Sequence, residues 1–204
     1  MMATRGIIFN TEMVKAILDR RKTQTRRIVK SNHWPVPIAD GFEWCLHETK
    51  DGRWEVGALN KGTGEGSFHS YINCPYGKPG DIIWVRETFL AVGGLDCPNP
   101  RIIYRASDHD WVSPAWQSST QLPEKYARLF LKIKDIRVER VQDITGEDAK
   151  SEGVAGSDRK GVPYGNCKIA FMALWDKINY KRGFGWSVNP WCWVMEFERT
   201  ENAQ

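Results

Sequence analysis

The spacing of hydrophobic positions changes along the chain, and the changes mark the elements. "GIIFN" (residues 6–10) reads as a short strand. In "TEMVKAILDR", Met13, Val14, Ile17 and Leu18 fall on one helical stripe, with Asn10 or Thr11 as the cap. Pro79-Gly80 makes a turn before the strand Ile82, Ile83, Trp84, Val85, and "RIIYRAS" is a further strand. In "RLFLKIKDIRVERVQDI" the residues Leu129, Leu131 and Ile133 share one face, but Ile136 and Val138 have the opposite parity. A bulge near Lys134-Asp135 accounts for the switch and bends the strand, as in a small barrel. "TGEDAKSEGV" predicts a short helix, with Thr145 as cap, Asp148 three residues on, and Gly153 at its end. "IAFMALWDKI" carries Phe171, Leu174, Trp175 and Ile178 at helical spacing. "NPWCWVMEFER" closes as a strand in which Trp193, Met195 and Phe197 alternate with Cys192, Val194 and Glu196.

Residues 31–79 break this pattern. They are rich in Gly, Pro and Trp, and "CLHETKDGRWEVGAL" predicts a hairpin turning at Asp51-Gly52. "GTGEGS" reads as a flexible loop; no helix follows it and no lysine completes a phosphate loop. Residues 32–77 therefore look like an insertion with its own small sheet. Residues 106–124 are polar, aromatic and irregular, which suits a long loop over a site and equally a decorative surface loop. The order is strand, helix, insertion, several strands, two helices and a final strand, with no repeated βαβ unit. The expected class is α+β: a small mixed or antiparallel β-barrel with flanking helices and an inserted β-rich segment.

Composition adds little to this. Hydrophobic residues make up 41% and charged residues 26% of the 204, as in an ordinary globular protein. No apolar run approaches the ~18 residues of a membrane span, and the N-terminus has no signal-peptide layout. The expectation is a cytoplasmic protein without a membrane partner. Five cysteines, an odd number with no CxxC, point to reduced thiols. Cys45, His47, His69 and Cys74 are spaced unlike a standard finger, so no metal is expected, and no cofactor either.

Charge distribution changes the picture more than the net value of +4. "RRKTQTRR", residues 20–27, holds five cations and no acid. Arg20, Arg21 and Lys22 follow the end of a helical stripe, where the helix dipole favours cations. That accounts for those three and leaves Thr25, Arg26 and Arg27. For Arg26 and Arg27 two readings stay open, a phosphate or carboxylate clamp and a solvated face.

Four segments in order, "ILDRRKTQTRR", "GKPGDIIWVRETF", "VERVQDITGEDAKSEGV" and "NPWCWVMEFER", resemble ASCH-domain proteins, which have a PUA-like β-barrel fold. The resemblance covers about residues 5–31 and 78–199, treats 32–77 as an insertion, and makes 1–204 a single domain. It is strongest to the long type carried by phages and prophages. Short bacterial members hydrolyse N4-acetylcytidine to cytidine and acetate. They use a lysine and a threonine of a "KTxT" motif and a glutamate from the helix after the long strand. The resemblance places these at Lys22, Thr25 and Glu152. It implies a modified cytosine nucleoside or base as substrate and RNA as a second candidate partner. One departure stands out: Arg20 occupies a position where long relatives usually have glycine. A left-handed backbone there costs an arginine about 1 kcal/mol.

Amide hydrolysis needs a nucleophile, a proton shuttle and a group that stabilises the oxyanion. A neutral lysine can activate a threonine hydroxyl; a charged one would stabilise the oxyanion, leaving Glu152 to move the proton. The residues do not assign the base uniquely. Lys22 and Thr25 are three apart, so a shared face requires a helical or turned backbone. Arg86 and Glu87 are candidates to line the pocket or to form an internal ion pair. Trp84, Trp116 and Trp191 are candidates to stack on a base or to fill the core. Three functions follow: an amidohydrolase of N4-acylated cytosine nucleosides, a non-catalytic RNA- or nucleotide-binding module, and a phage assembly-associated protein.

Overall fold

A computed structural model describes residues 4–30, 39–51, 53–107, 115–154 and 165–200. The chain divides into two compact units, residues 28–75 and the remainder. The protein is of mixed α+β class.

The larger unit is built on a five-stranded sheet. Its strands are β1 (Thr4–Ile8), β2 (Gln24–Ile28), β6 (Ile82–Arg86), β9 (Phe130–Arg140) and β10 (Trp191–Thr200), in the order β1-β6-β9-β10-β2. β1 runs parallel to β6, while β6 and β10 each run antiparallel to β9. β10 lies inside the sheet between β9 and β2, and its residues Cys192 to Met195 are all buried, which is why that segment reads as a continuous apolar run. The parity switch in β9 is a bulge: Glu196 pairs with Asp135 and Phe197 with Ile133, leaving Lys134 unmatched. Leu129, Leu131 and Ile133 face the core as their alternation predicts. Among the described residues the ladder is open, with β1 and β2 as its two ends, so the expected closure into a barrel is not seen in the strand pairing.

The helices pack around this sheet. Helix α1 (Thr11–Leu18) is capped by Asn10, whose side chain accepts from the Met13 N–H, and buries Val14, Ala16 and Ile17. Helix α2 (Gly146–Ser151) has the predicted reciprocal cap between Thr145 and Asp148. Helix α3 (Gly165–Asn179) buries Cys167, Phe171 and Trp175, but Ile178 is 39% exposed, contrary to the expected stripe. Asn179 is the buried residue in that turn. A two-stranded hairpin, β7 (Phe89–Val92) with β8 (Arg101–Tyr104), clusters Phe89 and Ala91 with Leu122. Only part of the irregular loop expected at 106–124 is described, because 108–114 lie outside the described residues.

The smaller unit is an antiparallel meander of β3 (Phe42–Glu48), β4 (Trp54–Asn60) and β5 (Gly66–Ile72). The hairpin falls where the turn at Asp51-Gly52 predicts it, with Gly52 outside the described residues. Gly66 and Ser67 belong to β5, so "GTGEGS" is not wholly loop. All five cysteines are unbridged. Among the described residues no group of three or more His, Cys, Asp or Glu is placed to hold a metal, the His69 side chain lying outside them. No described helix is long and apolar enough to cross a membrane.

Candidate functional site

Helix α1 ends with Arg20 in the left-handed conformation, φ +59°, at the position after the cap where glycine is the usual residue. The turn bonds Arg21 and Lys22 N–H to the Ala16 carbonyl and sends the chain into an extended segment. That segment docks against the end of α2. Lys22 pairs with Glu152 as an isolated bridge, and Thr23 N–H donates to the Ser151 carbonyl. Gly153, at φ +82°, makes the approach possible, since a Cβ there would lie 2.9 Å from Lys22 Cβ and 2.8 Å from Ala16 Cβ. Two segments 130 residues apart in sequence are thereby fixed side by side.

The result is a buried ion pair. Lys22 Nζ donates to Glu152 Oε2 at 2.7 Å, to the Gln24 carbonyl at 2.7 Å and to the Glu152 carbonyl at 2.9 Å. All three ammonium protons have acceptors. Burial lowers the Lys22 pKa below the ordinary 10.5; Glu152 acts in the opposite sense, and Arg27 and Arg26 add to the lowering. Glu152 Oε1, by contrast, is buried with no hydrogen-bond partner among the described residues. Arg26 Nη1 approaches it at 3.5 Å. The Nε atoms of Arg26 and Arg27 are also buried without partners.

The backbone here is not helical or turned, as the three-residue spacing of Lys22 and Thr25 demanded; it is extended through β2. Thr25 is buried, 2% exposed. Strand alternation sends its side chain to the face shared with Arg27, opposite Gln24 and Arg26. Among the described residues no hydrogen bond joins the Thr25 hydroxyl to Lys22 or Glu152. The Lys22 stem runs along the chain to the Gln24 carbonyl, and its ammonium lies 5.6 Å from the centre of the Phe9 ring. The Arg27 guanidinium lies 5.0 Å from the same ring. Arg27 also donates to the Ile8 carbonyl at 2.6 Å, linking β2 to the end of β1.

Arg26 is no surface clamp. Its side chain is fully buried and bonds Gln24 Oε1 at 2.5 Å and Glu139 Oε2 at 2.8 Å, with Asp148 at 3.4 Å. Gln24 in turn donates to Asp148 and Glu196, and Arg137 binds Glu139, Glu196 and Asp148. Gln24, Arg137, Glu139 and Glu196 were not singled out in the sequence. One signal was present: Glu196 interrupts the apolar run "WCWVMEF", and a charge there calls for a partner. Asp148, read only as a capping residue, does both jobs. Burial opposes its ionisation, but hydrogen bonds from Thr145 and Gln24, with Arg26 nearby, hold its pKa below 3.8.

The other candidate lining residues lie in different surroundings. Glu87 is buried and paired with Arg128, not Arg86, through two bonds of 2.8 Å. Arg86 covers the Trp84 ring at 4.8 Å, and Trp84 packs over Gly6, where a Cβ would meet it at 2.8 Å. That makes Trp84 core. Trp116 faces Arg105 at 5.9 Å and Trp191 faces Arg140 at 4.2 Å.

A cavity of about 720 Å³ lies beside the cluster. Its walls include Arg20, Lys22, Thr23, Gln24, Asp148 and Glu196, while Thr25, Glu152 and the candidate tryptophans are not among them. No protein-family model, curated protein or solved structure matches this chain.

Proposed function

We propose that this protein hydrolyses the acyl group from N4-acetylcytidine or a related N4-acylated cytosine nucleoside. The observation that carries the reading is the buried Lys22–Glu152 pair with Glu152 Oε1 left unpartnered. A carboxylate buried with one free oxygen is an acceptor in need of a donor, and an attacking water or the substrate's N4–H supplies one. In the reaction, an oxygen nucleophile adds to the acyl carbon, the C–N bond breaks, and a proton passes to N4. Glu152 Oε1 is the group suited to carry that proton. The buried, unpartnered Nε–H groups of Arg26 and Arg27 are the donors free to stabilise the negative charge that develops on the acyl oxygen, and Lys22, whose three protons already have acceptors, adds its charge. Where Lys22 is neutral, its lowered pKa also suits it to activate Thr25. Thr25, on the Arg27 face of β2, is the candidate nucleophile, and water would then hydrolyse the acyl-threonine ester to release the carboxylic acid and restore the hydroxyl; direct attack by water on the acyl carbon is the other route.

A PUA-like barrel fold goes with this proposal. The bulge lies in the long β9–β10 pair, where such irregularities bend a sheet, and the Arg27–Ile8 bond bridges the two ends of the ladder. A cytoplasmic location goes with it. The test is chromatographic. Native protein converts N4-acetylcytidine to cytidine, while folded Lys22→Ala and Glu152→Gln release none and Thr25→Ala is strongly impaired. Intact substrate with native protein, across a panel of N4-acylcytidines, would transfer the site to a binding role.

A further inference from the structure

The charges around the 720 Å³ cavity divide into two sets. Asp148 and Glu196 are already engaged by Arg137 and Gln24, and Glu147 by Lys150. Arg20, Lys134 and Arg199 are exposed, and among the described residues their side chains have no ion-pair or hydrogen-bond partner. Glu198 is the one wall carboxylate in the same condition. The cavity therefore presents three unspent cations against one unspent anion, beside a network in which Arg26 and Arg137 are shared among the three carboxylates Glu139, Asp148 and Glu196.

Two of the three cations are placed by irregular backbone. Arg20 occupies a left-handed residue where arginine is disfavoured, and Lys134 is the unmatched residue of the β9 bulge. Irregularities of this kind re-aim side chains and are over-represented beside binding sites. Arg199, from β10, lines the same cavity. Its volume lies within the range of small-ligand sites.

We infer that this cavity binds the phosphate of a nucleotide, so that the substrate carries a phosphate and is not a free nucleoside. The inference rests on the cytosine reading of the neighbouring Lys22–Glu152 cluster and names the form in which that base arrives. Lys22 and Gln24 belong to both the cluster and the cavity wall, so base and phosphate sites are contiguous. Phosphate accepts charge-assisted hydrogen bonds from Arg and Lys. The phosphate belongs either to a free mononucleotide or to a polynucleotide strand.

Calorimetric titration of the full chain with cytidine, cytidine 5′-monophosphate, adenosine 5′-monophosphate and a short oligocytidylate tests this. The monophosphate is expected to bind roughly tenfold or more tightly than cytidine. The advantage should shrink with added salt and vanish in a combined Arg20→Gly, Lys134→Gln, Arg199→Gln variant. Arg20→Gly relieves the left-handed strain, so loss of binding there is not loss of fold, and a thermal melt checks it. An oligonucleotide that outbinds the monophosphate assigns the phosphate to a strand; equal affinity assigns it to a free nucleotide. Adenosine monophosphate matching cytidine monophosphate would keep the phosphate site and remove the cytosine reading. Equal binding of cytidine and its monophosphate, no binding by any of the four, or an advantage that survives the triple variant would overturn the inference.

Discussion

Glu87 and Glu152 are both buried glutamates facing a cation, and they are held in different ways. Glu87 is 1% exposed, and Arg128 meets both its oxygens in a fork of two 2.8 Å bonds. Arg128 has a further bond to Ser107 and lies over the Tyr104 ring. Nothing on that carboxylate is left over. Glu152 is 4% exposed and gives one oxygen to Lys22, while its other oxygen has no hydrogen bond. Arg fits a carboxylate with two matched donors; Lys is a single point charge. The first pair is complete as a staple between the link joining β6 to β7 and the segment before β9. The second has unused hydrogen-bonding capacity, which is what a site requires.

The largest effect that separates the two pairs is on turnover. Lys22→Met should remove deacetylation by roughly 10³-fold or more, measured as cytidine released per folded protein. Arg128→Met should leave turnover of the folded fraction near the native value. Equal losses in both would erase the distinction. Stability should not separate them. Each single change removes the hydrogen-bonded cation from a buried carboxylate, Glu152 keeping only Arg26 at 3.5 Å, and should cost about 3–5 kcal/mol in urea unfolding. Adding Glu152→Leu to Lys22→Met should recover most of that, because the stranded charge is gone.

The pH dependence of stability sharpens the contrast next. Lys22 has a folded-state pKa below 10.5, with burial as the main cause. Between the folded value and 10.5 the unfolded chain binds more protons than the native one, so stability rises with pH across that window. Below the folded value the cost of burying the charge is constant. Native protein should therefore gain stability as pH is raised toward 10.5, relative to the Lys22→Met/Glu152→Leu variant. Parallel curves for the two proteins would show that Lys22 stays charged throughout. Asp148 behaves oppositely: its depressed pKa contributes stability that is lost as pH falls through the acid range below 3.8.

The smallest expected effect is at Arg20. Arg20→Gly should stabilise the fold by about 1 kcal/mol, read as a higher melting temperature, because glycine accepts φ +59° without strain. A lower melting temperature would mean that the arginine side chain contributes more than its backbone costs.

Much of the chain's local organisation was legible. The β9 bulge was visible because a period of two cannot change parity without an extra residue. The α2 cap was visible because Thr145 and Asp148 are three apart and their reciprocal bonds are local. Lys22 and Glu152 came from the resemblance, not from spacing. The extended backbone at Thr25 was missed because a helical or turned chain was inferred from the demand that Lys22 and Thr25 share a face, whereas sheet pairing beside β10 holds Gln24–Ile28 extended. Ile178 was assigned to the core because helical spacing says which residues share a stripe but not where the stripe leaves the core.

The sequence alone determined the local elements: strand alternation, helix caps, the turn glycines and the separate small sheet of residues 42–72. Those depend on interactions among near neighbours. Only the tertiary structure decided that Arg26 is buried within a network of Gln24, Glu139 and Asp148 while Arg20 stays exposed at a cavity. The two arginines lie six residues apart in one basic run. What separates them is whether carboxylates from segments more than 100 residues away reach the guanidinium, because a buried cation persists only where distant partners neutralise it.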